Sequence, residues 1–152
     1  LLSVPSLRKV FELEGKDSLG SVVVRYGFEL KQWLVHRGNK KDTDLNQSTW
    51  CSSLGYHVPL VSDLTNSNCT SVDSLCQGAT PLSSVNYYQR QIGSVFFTEW
   101  GRMNYYTNAG FVSNYYLATD ATGSKQFMIS SNTGKTYSSR VYSQKYALCI
   151  VP

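Results

Sequence analysis

No apolar run in this 152-residue sequence approaches the roughly 18 residues that span a bilayer as a helix, and no signal peptide stands at its start. The first residue is not Met, so the expectation is an excised piece whose export signal lies elsewhere. Charge is sparse: Asp, Glu, Lys and Arg make up 16% of the chain, and the net charge is +4. Apart from Arg37, Lys40 and Lys41 the basic residues are scattered, whereas a phosphate-binding protein concentrates them on one strip, so nucleic acid is not an expected partner. There is no C-x-x-C, and His36 and His57 are not spaced as a ligand pair, which argues against zinc. Catalytic motifs are missing too. Ser6-Leu7-Arg8-Lys9 fits S-x-x-K without its companions. Gly134-Lys135-Thr136 ends like a phosphate-binding loop, but Ile129 occupies the place of its first glycine. His57 with Glu99 or Asp63 reads as a turn histidine in an ordinary hydrogen bond rather than an acid–base pair. No nucleophile, metal or cofactor site emerges, and the chain reads as a non-enzymatic binding protein.

Aromatic and apolar residues are what the sequence has instead. Hydrophobic content of 41% suits one globular domain with a real core, with or without a short appendage. The stretch Gly93 to Tyr116, GSVFFTEWGRMNYYTNAGFVSNYY, carries too many rings for a solvated loop and too many Gly and Asn for a smooth helix or strand. It is expected to be a buried, mostly irregular spine, with Phe96, Trp100 and Phe111 in the core and one ring of each Tyr-Tyr pair turned outward.

Upstream, Ser3 to Gly15 has a cap-like serine, an early proline and apolar Leu7, Val10 and Phe11, which predicts a short helix. From Val22 the period becomes two, predicting a half-buried strand that continues through Trp33, Leu34 and Val35, with a bulge or bend at Gly27. Asp42 to Gly55 has capping residues, early acids and a terminal glycine, predicting a helix with Cys51 near its buried side. A second short helix follows around Ser62 to Asn66. Asn66 to Gln91 is polar and Ser-rich, and reads as a long surface insertion. Gln126 to Ser130 and Thr136 to Val141 flank Asn132-Thr133-Gly134 as a hairpin. Tyr146 to Val151, apolar on both faces, reads as a central, doubly covered strand. The fold class is α+β, with two helices on short antiparallel sheets and a long irregular region.

Four cysteines allow three pairings. Short spacing favours Cys69 with Cys76, leaving Cys51 on the helix to meet Cys149 on the last strand. An even count without metal-like spacing points to disulfides and an oxidising compartment.

Tyr26 to Val35, Trp50 to Pro59, Ser94 to Gly101 and Tyr146 to Cys149 together resemble the C-terminal domain of invasin- and intimin-type bacterial outer-membrane adhesins, the inverse autotransporters. The resemblance covers residues 22–152 and leaves residues 1–21 as an extension or the end of a preceding domain. It implies a C-type-lectin-like fold at the tip of a rod of immunoglobulin-like domains, displayed on the cell surface by an outer-membrane barrel outside this sequence. It also implies a bond between Cys51 and Cys149, and attachment to a receptor protein on a host or neighbouring cell. The sequence departs from the family in the Asn66 to Gln91 segment with Cys69 and Cys76. A calcium-dependent sugar site is not expected, because Pro5, Pro59, Pro81 and Pro152 form no Glu-Pro-Asn or Gln-Pro-Asp triplet, and no tryptophan precedes Asn-Asp.

Binding then rests on tyrosines as rigid amphipathic anchors with Asn and Ser as adaptable hydrogen-bonding partners. Asn-Tyr-Tyr occurs at Asn86, Asn104 and Asn114. The expected receptor face comprises Tyr87, Tyr88, Arg90, Arg102, Asn104, Tyr105 and Tyr106. A calcium-free glycan site and a structural tip without its own ligand are the alternatives.

Overall fold

The computed structural model describes residues 3–152, and its strands form three small antiparallel sheets, as expected. Contacts divide the described chain into two compact units, Ser3–Trp33 and a second from Leu34 to Pro152. The division expected after residue 21 lies at the end of a turn inside the first unit.

That first unit is a hairpin of β1 (Lys9–Lys16) and β2 (Val22–Leu30). The helix predicted over Ser3 to Gly15 is therefore corrected to a strand. Cross-strand pairing decides it: Phe11 lies opposite Phe28 and Leu13 opposite Tyr26, the two Phe rings stack at 5.2 Å, and Arg25 reaches Glu14 at 3.3 Å. The Asp17 carboxylate accepts from the Leu19 and Ser21 amides to close the turn. The register irregularity sits at Gly15/Lys16, while Gly27 pairs in register with Glu12. β2 is exposed along most of its length rather than half-buried, and it stops at Leu30. Leu34 to Val35 belongs to a separate strand.

The second unit is built around β7 (Leu148–Ile150), buried throughout as its double-sided apolar pattern predicts. β3 (Leu34–His36) pairs along it, and His57 bridges Ile150 through reciprocal bonds of 3.0 and 2.8 Å. Just before it, the Tyr146 carbonyl accepts from the Leu117 amide at 2.9 Å. α1 (Asp44–Ser53) starts at the Thr43 cap and ends before Gly55, whose φ of +80° favours glycine. Its Cys51 is bonded to Cys149 of β7, with Cα atoms 5.4 Å apart, and Cys69 is bonded to Cys76. α2 (Val61–Leu64) and α3 (Phe96–Trp100) flank the meander of β4 (Tyr115–Thr122), β5 (Lys125–Ser130) and β6 (Thr136–Arg140).

The core gathers Val61, Leu64, Phe97, Met103, Tyr116, Phe127, Ile129 and Leu148. Trp100 is a correction. It is 50% exposed, because α3 ends immediately after it at Gly101 and its ring meets Tyr106 edge-on at the surface, 5.8 Å between centroids. Phe96 and Phe111 are half-buried against the core. The segment from Asn66 to Gln91 runs mostly along the surface, as expected, but is anchored by a few residues packed inside. Asn66, Ser67, Cys69, Cys76 and Ser83 are buried. The Asn66 side chain explains how a polar stretch tolerates this: its oxygen accepts from the Gln89 amide and the Thr98 hydroxyl, and its nitrogen donates to the Gln89 and Pro81 carbonyls.

A buried ion pair joins α1 to the approach to β7. Lys145 Nζ donates to Asp44 Oδ1 at 2.8 Å and to the carbonyls of Arg140 and Ser143, both at 3.2 Å. Burial lifts the Asp44 carboxyl above its ordinary 3.8, against the pull of Lys145. Neighbouring Asp42 is held below 3.8, first by the Asn46 side chain and then by the Thr43 amide. The signs oppose. Between 3.8 and its folded value Asp44 keeps a proton that the unfolded chain has lost, so its contribution to stability falls as pH rises through that window. Asp42 contributes above 3.8 and loses its contribution as pH drops through its lowered value. Carboxyl-carbon NMR of the folded protein is expected to give an Asp44 midpoint above 3.8 and an Asp42 midpoint below it, and the reverse order would refute this assignment.

Candidate functional site

Five of the residues singled out in the sequence, Tyr87, Tyr88, Arg90, Arg102 and Tyr105, line a single open groove together with Asn132 and Thr133, with a volume of about 370 Å3. The remaining two lie outside its lining. Asn104 is exposed in the 3-10 turn Met103–Tyr105. Tyr106 turns to Trp100, donating its hydroxyl proton to that residue's carbonyl at 2.9 Å.

Asn86 places the first pair of tyrosines. Its side chain donates to the Thr136 carbonyl and accepts from the Thr136 amide, both at 2.9 Å, as a neighbouring strand would. Tyr87 is thereby left 47% exposed at the groove edge. Tyr88 bonds through its amide to the Thr133 carbonyl and through its hydroxyl to the Asn132 carbonyl, each at 3.0 Å. Gly134 makes this fit possible: its φ is +62°, and a Cβ there would come within 2.5 Å of the Tyr88 ring.

Arg90 caps α3. Its Nε donates to the Thr98 carbonyl at 3.2 Å, which also accepts from the Gln91 amide, and Nη2 donates to the Glu99 carbonyl at 2.7 Å, at the end where a helix supplies no donors of its own. A Cβ on Gly101 would stand 2.3 Å from Nη1. Met103, buried and bonded through its amide to the Ser131 carbonyl at 3.0 Å, anchors the turn that carries Arg102 and Tyr105. Tyr105 is 73% exposed, and the Arg102 guanidinium lies over its ring at 5.5 Å.

Sequence reasoning missed Asn132, Thr133 and Lys135. They read as turn residues of the β5–β6 hairpin, and nothing local signals that this turn meets Tyr88, 44 residues away in the chain. Lys135 Nζ stands 5.4 Å from the centre of the Tyr87 ring and 4.9 Å from that of Tyr137. The Asn132 amide nitrogen contacts the Ser113 hydroxyl, while its buried Oδ1 has no partner among the described residues. The groove lining contains no carboxylate. A second depression, lined in part by Ser62, Leu75 and Asp120, has its carboxylate engaged, since Asp120 accepts from the Val61 amide at 2.6 Å. Among the described residues no cluster of three His, Cys, Asp or Glu side chains could hold a metal, and no helix is long and apolar enough to cross a membrane.

No protein-family model matches the chain. It is 31% identical over 126 residues to the inverse autotransporter adhesin YeeJ of Escherichia coli (strain K12), an alignment covering 82% of this chain and 4% of that protein. Its structure is similar to the crystal structure of invasin, a bacterial integrin-binding protein, with a TM-score of 0.64 and 20% identity over 96% of this chain and 26% of that one. The chain therefore spans a small part of the length of each.

Proposed function

Given that this chain is an invasin/intimin-type adhesin domain with a C-type-lectin-like fold, we propose that it is the receptor-binding tip of a bacterial cell-surface adhesin. Its Tyr–Arg groove is the contact face for a receptor protein on a host or neighbouring cell. The parent protein is held in the outer membrane by a barrel outside this sequence, with immunoglobulin-like domains between barrel and tip. The role is binding without catalysis. Two disulfides suit display in an oxidising environment.

One observation carries this reading: residues far apart in the chain, Tyr87 to Arg90 and Arg102 to Tyr105, converge with the β5–β6 turn on one concave, tyrosine-lined surface. Exposed tyrosines offer large contact area with few rotatable bonds, and Tyr and Arg dominate the energetics of protein interfaces. Tyr87 and Tyr105 suit a test better than Tyr88, whose hydroxyl bond and packing against the core make it part of the scaffold. Tyr87→Ala and Tyr105→Ala are each expected to weaken binding of the oxidised chain to host cells roughly ten-fold or more without lowering its melting temperature. Wild-type cell binding by both variants would sink the proposal. Protease treatment of the cells is expected to abolish binding. Persistence after protease with loss after glycosidase would support the glycan reading instead, and absence of saturable binding would support a purely structural tip.

A further inference from the structure

We propose that the groove takes an acidic segment of its receptor protein, a run bearing several Asp or Glu carboxylates. The proposal rests on the groove being the receptor face and adds the chemistry of the partner. Three cations surround the groove, each associated with a tyrosine ring or backbone carbonyls. Arg102 lies over Tyr105, Lys135 sits against Tyr87 and Tyr137, and Arg90 engages the carbonyls of Thr98 and Glu99. None of the ion pairs among the described residues involves Arg90, Arg102 or Lys135; the carboxylates paired there with Lys or Arg are Glu12, Glu14, Glu29, Asp42 and Asp44. The nearest acid in sequence to the α3 cap, Glu99, directs Oε2 to the Gly93 amide at 3.1 Å.

A ring face holds a cation in place without neutralising it. The groove thus presents positive charge that takes part in no ion pair among the described residues, set among the rings of Tyr87, Tyr88 and Tyr105, an arrangement that draws carboxylates in. The Arg102 guanidinium supplies a planar fork for a carboxylate while its alkyl stem and the tyrosines supply apolar contact. The cations are carried on separate rings, Tyr105 on one turn and Tyr87 with Tyr137 on another. That spread matches several carboxylates along a peptide better than the single carboxylate of one acidic sugar.

Fluorescence anisotropy with a labelled peptide of alternating Glu and Leu, against its Gln counterpart, tests this on the full chain. Saturable binding of the Glu peptide but not the Gln peptide is expected, weakening several-fold as salt rises from roughly 50 to 500 mM. Arg102→Gln and Lys135→Gln are each expected to weaken it about five-fold with melting temperature unchanged. Equal binding of the two peptides, or sialyllactose binding the chain where the Glu peptide does not, would overturn the inference. In the cell assay the failures separate. Charge variants that bind cells like wild type while Tyr87→Ala does not would remove the acidic partner and leave the receptor groove standing. Full binding by both sets would remove both.

Discussion

A chain with Cys51 and Cys149 both replaced by alanine is expected to lose about 4 to 5 kcal/mol of stability, the largest effect of any change considered. The cross-link spans 98 residues of sequence, and on the chain-entropy account the unfolded ensemble gains back the conformational freedom that closing so long a loop removes. The bond ties α1 to β7, the strand that β3 and His57 pair with and that directly follows Tyr146, the partner of the start of β4, so its loss is felt across the second unit. Total stability of a domain this size is about 5 to 15 kcal/mol, so the variant should melt roughly 15 °C lower or fail to fold at body temperature. The pair Cys69→Ala and Cys76→Ala, separated by only 7 residues, is expected to cost about 2 kcal/mol. Chemical denaturation of both double variants measures the contrast. Equal losses would show that loop length is not what sets the contribution of either bond.

Lys145→Ala is expected to cost about 3 to 5 kcal/mol. Lys145 is 2% exposed, and its ammonium holds Asp44 and two backbone carbonyls at once. Truncation leaves a buried carboxylate whose second oxygen already lacks a partner among the described residues, and it takes the ammonium from the Ser143 carbonyl, while the Arg140 carbonyl keeps the Ser143 amide at 3.0 Å. Protonation of Asp44 recovers part of the loss, so the variant should lose less stability at pH 4 than at pH 7. Replacing the pair together, Asp44→Asn with Lys145→Met, is expected to cost markedly less than Lys145→Ala, because no charge is left buried alone. Urea melts of the two proteins at both pH values decide the matter. A double variant as unstable as Lys145→Ala would place the cost in lost packing rather than in the stranded charge.

The three Asn-Tyr-Tyr steps illustrate where sequence reading stops. Identical tripeptides meet three fates. At Asn86 both tyrosines reach the groove; at Asn104 Tyr105 reaches it while Tyr106 turns to Trp100; at Asn114 Tyr116 is swallowed whole, its hydroxyl accepting from the Val112 amide at 3.0 Å. β4 escaped notice for the same reason. Its opening tyrosines belong to a Gly- and Asn-rich stretch without a clean period, and its strand geometry depends on pairing with β5, which local pattern does not report. Within the largely exposed Asn66 to Gln91 segment the burial of Asn66 is not legible, because composition registers polarity and not whether each polar group finds a partner. Asn66 finds four.

Local chemistry by itself determined the parts whose causes are local. The α1 cap and its terminal glycine, the β5–β6 hairpin around Gly134, the two-faced apolar strand at the end and the pairing of four cysteines were all legible, because each depends on residues that are neighbours in sequence or on very few combinations. Only the tertiary structure decided that the first segment is a strand rather than a helix, that Trp100 faces water, and that Tyr88 meets the Asn132 turn beside Arg102 to form a groove. Those outcomes depend on which distant groups are brought within contact distance. That is fixed by the core packing and backbone pairing of the whole chain and leaves no imprint on the sequence nearby.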